Sequence, residues 1–117
     1  MPVPVRPIAQ LLPPGSTKAF VLSIAEGENS AAAARHVLLV CDPPYGTHPT
    51  PVAACEALAQ VGGDIARLRP LPNLVCAMAY DPITVTATGI WDGRSIRYEQ
   101  TFGNACSLRG TTGLIFS

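Results

Sequence analysis

Apolar positions in this chain fall into short β-like runs and one stretch with helical spacing. Phe20-Val21-Leu22-Ser23-Ile24 is apolar and partly β-branched, which predicts a strand. It reads apolar on both faces, so it is either central in a sandwich or covered by a second subunit, with Val21 as the candidate interface residue. His36-Val37-Leu38-Leu39-Val40 predicts a second strand ending at Cys41. The segment from Ile83 to Trp91 is strongly β, and Asp92-Gly93 is the dipeptide favoured by a two-residue hairpin turn. Arg94 to Phe102 then pairs back, with Ile96, Tyr98 and Gln100 on one face and Arg97, Glu99 and Thr101 on the other. Leu114-Ile115-Phe116 predicts a short last strand. The helical stretch opens with Thr50 as a cap and Pro51 at the first position. Val52, Cys55, Leu58, Ala59 and Val61 follow at helical spacing, and Gly62-Gly63 ends the helix.

The remaining segments are connectors. Glu26 to Ser30 is turn-like, and Ala31 to Ala34 is too short for a helix of its own. Asp42 to Pro49 and Arg69 to Leu74 are proline-bearing loops, and Asp64 caps a short turn through Leu68. Five prolines in residues 1–16 predict an extended arm ahead of a domain over residues 17–117. Five strands and one clear helix in non-alternating order make an α+β domain, an antiparallel sheet with a helix on one face.

At 117 residues the chain has room for one core. Eight Lys plus Arg balance eight Asp plus Glu, so no basic patch argues for nucleic acid. No apolar run reaches the ~20 residues of a membrane span. No nucleophile elbow, zinc-protease helix or phosphate loop is present, so neither an enzyme nor a cofactor is expected.

Cysteine changes the picture. Cys41, Cys55, Cys76 and Cys106 are even in number, with no Cys-x-x-Cys, which suggests disulfides. Their spacings do not fit a metal-ligand pattern, and no metal site is expected. Disulfides in a small domain point to a secreted, extracellular protein. Met1-Pro2-Val3-Pro4 lacks the charged and apolar stretches of an export signal, so an exported form is expected to have lost one. Three pairings are possible. We favour the local one, Cys41–Cys55 with Cys76–Cys106, each bridge worth roughly 3 to 4 kcal/mol by chain entropy. Cys76 also opens the segment Cys76-Ala77-Met78-Ala79-Tyr80-Asp81-Pro82. An anchored cysteine, small neighbours, one long apolar side chain and a proline stop read as a stretch held extended for a partner. A protease binds peptides in that shape.

Phe20 to Ile24, Gly46-Thr47-His48-Pro49, Ala54-Cys55, Val61-Gly62-Gly63-Asp64, Cys76 to Pro82, Gly89 to Gly93, Tyr98-Glu99 and Phe102 to Cys106 follow one another in a specific order and spacing. Together these stretches resemble the Streptomyces-type subtilisin inhibitor family of secreted bacterial serine-protease inhibitors. The likeness runs from about residue 17 to the C-terminus. It implies a five-stranded antiparallel sheet with two helices, the local disulfide pairing, a homodimer and a reactive bond at Met78-Ala79. Position by position, Val75, Cys76, Ala77 and Met78 become P4 to P1, and Ala79 and Tyr80 become P1′ and P2′. The proline arm is longer than the family's, the Cys41–Cys55 loop is shorter, and P2 is Ala where Pro is frequent.

On this reading Met78 fills the S1 pocket of a subtilisin-like protease, and chymotrypsin-like enzymes are secondary targets. Methionine is adaptable but carries no cation for an acidic trypsin pocket. The competing reading is a non-inhibitory secreted binding module using the same braced sheet. Asn104, two residues before Cys106, is a candidate brace for the loop. Asp81 either orders the loop through its carboxylate or only begins the turn at Pro82. His48 is expected to order its loop by hydrogen bonding, and Trp91 to belong to the core or to a sheet face, not to a ligand platform.

Overall fold

The computed structural model describes residues 17–29 and 34–116. The expected arm over residues 1–16, and most of the short Ala31 to Ala34 stretch, lie outside them. Five strands form one sheet: β1 (Lys18–Glu26), β2 (Arg35–Cys41), β3 (Tyr45–Gly46), β4 (Ile83–Trp91) and β5 (Arg94–Phe102). Their order is β3-β2-β1-β4-β5, and every neighbouring pair is antiparallel. Two helices, α1 (Pro51–Gln60) and α2 (Ala105–Thr112), pack with the inner sheet face into one core. The α+β class, the five antiparallel strands, the two helices and both disulfides agree with the sequence reading.

The period of two explains the central strands. Phe20 and Leu22 of β1, Val37 and Leu39 of β2, and Val85 and Ala87 of β4 all point inward and are buried. Ala54, Cys55 and Leu58 of α1 and Leu108 of α2 meet them, as does Trp91. Trp91 is therefore a core residue, as expected. The β4–β5 turn holds Asp92 at φ 48° and Gly93 at φ 85°, the two positive values a twist-matched two-residue turn requires. Lys18 bonds Asp92 at 3.0 Å and Asp42 at 3.6 Å. Its ammonium is held above the usual lysine range, chiefly by the hydrogen bond to Asp92.

Two sequence expectations need correction. Leu114 to Phe116 is not a strand. It is a turn after α2 whose Ile115 and Phe116 side chains plug the core. Its apolar character comes from that burial, not from sheet pairing. The fifth strand is instead Tyr45–Gly46, inside the segment read as a loop. It pairs with Leu39 and Val40, and a side chain on Gly46 would run into the Leu38 carbonyl. Thr50 and Asp64 occupy cap positions, but neither side chain makes a capping bond.

His48 explains how this end of the domain closes. It is buried, its Nδ1 accepts from the Thr50 N–H at 3.0 Å, and its Nε2 lies 2.7 Å from the Ile115 carbonyl. With Nδ1 accepting, the ring proton sits on Nε2 and is donated to Ile115. The ring thus joins the start of α1 to the C-terminal turn. His48→Ala leaves one backbone donor and one backbone acceptor without partners and should cost about 2–4 kcal/mol. Urea unfolding would measure this, and the account expects an unchanged denaturant slope.

Candidate functional site

Residues 68–82 leave the regular structure and cross the end of the molecule as an irregular loop. Its stem is packed: the Leu71 N–H donates to the Gly110 carbonyl at 3.0 Å, and Leu74 lies against Gly110 so closely that a side chain there would collide with it. Beyond the stem the loop turns outward. Val75 is 90% exposed and Met78 is 97% exposed, with Tyr80 also outward. At that exposure Met78 is not a core residue, and with Val75 and Tyr80 it makes an exposed apolar stretch of the kind that marks a contact site.

Irregular exposed backbone is normally loose, yet this loop is tied at several points, and most ties come from four consecutive residues. β5 ends at Phe102, and α2 begins at Ala105. Between them, the Gly103 carbonyl accepts from the Asp81 N–H at 2.8 Å. Asn104 is the N-cap of α2, and its Oδ1 accepts from the Ser107 N–H at 2.9 Å. That bond fixes which way the amide faces, so Nδ2 points at the loop. There it donates to the carbonyls of Ala77, at 3.0 Å, and Ala79, at 3.1 Å. The two acceptors flank Met78. Cys106 completes the grip through its disulfide to Cys76, with Cα atoms 5.7 Å apart.

The other bridge, Cys41–Cys55, is remote from the loop and joins the end of β2 to α1. Val21 is also elsewhere, on the outer sheet face opposite Leu38; they are 50% and 43% exposed. The structure thus gathers Val75, Cys76, Ala77, Met78, Ala79, Tyr80, Asp81 and Cys106 into one site and leaves Cys41, Cys55 and Val21 outside it. Asp81 enters through its backbone. Sequence reasoning missed Glu28, whose carboxylate accepts a hydrogen bond from the Tyr80 hydroxyl. That bond, with some desolvation, holds the Tyr80 hydroxyl above the ordinary tyrosine range. No local motif marks Glu28, because the partners are far apart in sequence.

Among the described residues no group of three or more His, Cys, Asp or Glu could hold a metal. The site offers backbone tied at several points and exposed apolar side chains, chiefly Val75 and Met78.

A family model described as subtilisin inhibitor-like matches residues 16–104. The chain belongs to this family. It is 47% identical over 102 residues to subtilisin inhibitor-like protein 5 of Streptomyces fradiae, covering 85% of this chain and 95% of that one. It is 39% identical over 102 residues to the subtilisin inhibitor of Streptomyces albogriseolus, covering 85% and 71%. Among solved structures, Streptomyces caespitosus sermetstatin in complex with Bacillus licheniformis subtilisin superposes with a TM-score of 0.71 at 35% identity. That match covers 87% of this chain and 99% of sermetstatin.

The two ends of the Asn104 side chain have separable duties. Asn104→Asp keeps an acceptor for the Ser107 N–H but replaces the loop's donor with an oxygen facing two carbonyls. The cap should survive, since Asp and Asn cap equally, and the loss of the two loop bonds should cost about 1–2 kcal/mol. Hydrogen exchange at the Asp81 amide, which donates to the Gly103 carbonyl, should accelerate. Asn104→Ala should lose both the cap and the loop bonds, with about 2–3 kcal/mol of stability.

Proposed function

We propose that this chain is a tight-binding, substrate-like inhibitor of subtilisin-type serine proteases, with Met78-Ala79 as its reactive bond. The observation that carries the reading is the Asn104 amide bonded to the carbonyls on both sides of a fully exposed Met78. A serine protease attacks an extended peptide whose P1 carbonyl enters its oxyanion hole. Val75 to Met78 would lie along the enzyme's substrate-binding edge as an added strand. Met78 would fill S1, and Val75 an apolar S4 pocket. Because the loop is ordered beforehand, docking sacrifices little conformational entropy.

The same order explains inhibition in place of consumption. Opening the bond leaves the Met78 side tied by Cys76–Cys106 and the Ala79 side tied through Asn104 and Gly103. The new amine stays at high effective concentration beside the acyl-enzyme, so resealing competes with hydrolysis.

Two further parts of the reading have separate support. Secretion is supported by the two disulfides, which persist in oxidising compartments. A homodimer is supported by the outer sheet face, where Val21 and Leu38 stand opposite in register and half-exposed. We take residues 17–117 as the inhibitory domain and 1–16 as an arm; the family match beginning at residue 16 supports this division.

Titration of subtilisin with the chain should abolish activity at one inhibitory loop per enzyme. Met78→Asp should weaken inhibition by at least about a thousandfold, since an apolar pocket would bury an unpaired charge. Full protease activity at equimolar chain, with rapid cutting at Met78-Ala79, would reject the reading. Val21→Lys should turn a dimer into a monomer in sedimentation at micromolar concentration; a wild-type monomer would remove the dimer alone.

A further inference from the structure

The primed half of the loop has an anchor that the corner at residues 103–106 does not supply. Gly27 and Glu28 continue from the end of β1 and lie beside residues 80–84. The Gly27 N–H donates to the Pro82 carbonyl at 2.7 Å, and Thr84 Oγ1 donates to the Gly27 carbonyl at 2.8 Å. Gly27 has φ 101°, a backbone shape that side-chain-bearing residues rarely adopt. This local turn is therefore fixed from both its N–H and its carbonyl. Glu28 follows directly and receives the Tyr80 hydroxyl on its carboxylate. Tyr80 is two residues past Met78, and its ring is otherwise exposed.

We propose that Glu28 is a positioning residue for inhibition: by holding the Tyr80 side chain, it keeps the Ala79 amine in place once the Met78-Ala79 bond has opened. This rests on the reading of Met78-Ala79 as the reactive bond. When the protease serine oxygen attacks the Met78 carbonyl carbon, the C–N bond breaks and Ala79 leaves as a free amine carrying the transferred proton. Resealing reverses each change. The amine nitrogen attacks the ester carbon, the C–O bond to serine breaks, and the proton returns to the serine oxygen through the protease's base. Water attacking the same carbon gives a Met78 carboxylate instead.

Which path prevails depends on how far residues 79–81 swing. Gly103 and Asn104 grip their backbone from one direction, at the Asp81 N–H and the Ala79 carbonyl. Glu28 grips the intervening side chain from a separate element. Ties from two elements restrict rotation of the segment that one corner alone leaves free.

The test is the equilibrium ratio of cleaved to intact chain, approached from both sides with catalytic subtilisin. Because the protease accelerates both directions, the ratio is a property of the inhibitor alone, and any contact of Tyr80 with the enzyme drops out. Glu28→Ala should raise the cleaved-to-intact ratio about three- to tenfold, the effect of losing one hydrogen bond to a charged acceptor. Tyr80→Phe should raise it similarly, and the double variant no further, because both remove one interaction. Glu28→Gln, which keeps an acceptor oxygen, should recover most of the effect. The ultraviolet titration midpoint of Tyr80 should fall in Glu28→Ala, a signature that a general loss of stability would not give. If the parent inhibits but neither Glu28→Ala nor Tyr80→Phe moves the ratio, the inference is overturned and the reactive-bond reading stands. If the parent is cut without inhibiting, the reactive-bond reading fails and the inference goes with it.

Discussion

Most of the order in the exposed loop is borrowed from one corner, Gly103 to Cys106, which runs from the end of β5 into the first turn of α2. The loop has no strand pairing, no helix and no buried side chain near Met78 to hold it. Gly103 supplies a carbonyl, Asn104 an amide, and Cys106 a covalent bond. Asn104 is the centre of this arrangement. Its oxygen is committed to capping α2, and only then does its nitrogen face the two carbonyls beside Met78. A helix cap, ordinarily a local device, here transmits the rigidity of the core to backbone with no core of its own.

The remainder of the fold serves to place that corner. The tight turn at Asp92-Gly93 sets the register of β4 against β5, so Phe102 returns beside Ile83. The loop's last residues enter β4 at this point, which brings both ends of residues 81–103 together. Leu108 roots α2 in the core, while Gly110 lets the loop stem pass close over the helix. At the far end, the Cys41–Cys55 bridge and His48 close the structure around α1. Protease-inhibitor complexes bind tightly at ordinary interface size because partners are pre-shaped. Here that shape is traceable to bonds made before any protease arrives.

Much of this was legible in the chain. The central strands announced themselves as apolar, β-branched runs, α1 by Thr50-Pro51 and its apolar spacing, and the hairpin by Asp92-Gly93. Met78 stood out from its cysteine and proline neighbours, and Asn104 was a candidate from its place beside Cys106. What failed did so for physical reasons. Gly110, Thr111 and Thr112 are weak helix formers, so α2 had little propensity signal and only the resemblance supplied it. Leu114 to Phe116 looked like a strand because a plug and a strand are equally apolar. Tyr45–Gly46 is too short to show a period. Glu28 was invisible because its role depends on a residue 52 positions away.

The most direct test of borrowed rigidity removes the covalent tie and asks what the loop becomes. Subtilisin would be mixed with the native chain and with chain whose Cys76–Cys106 bridge has been reduced and alkylated, following both enzyme activity and cutting at Met78-Ala79. The account predicts that the native chain silences the enzyme and stays largely intact, while the reduced chain is cut as a substrate and protects nothing. Equal potency of the two forms would contradict it.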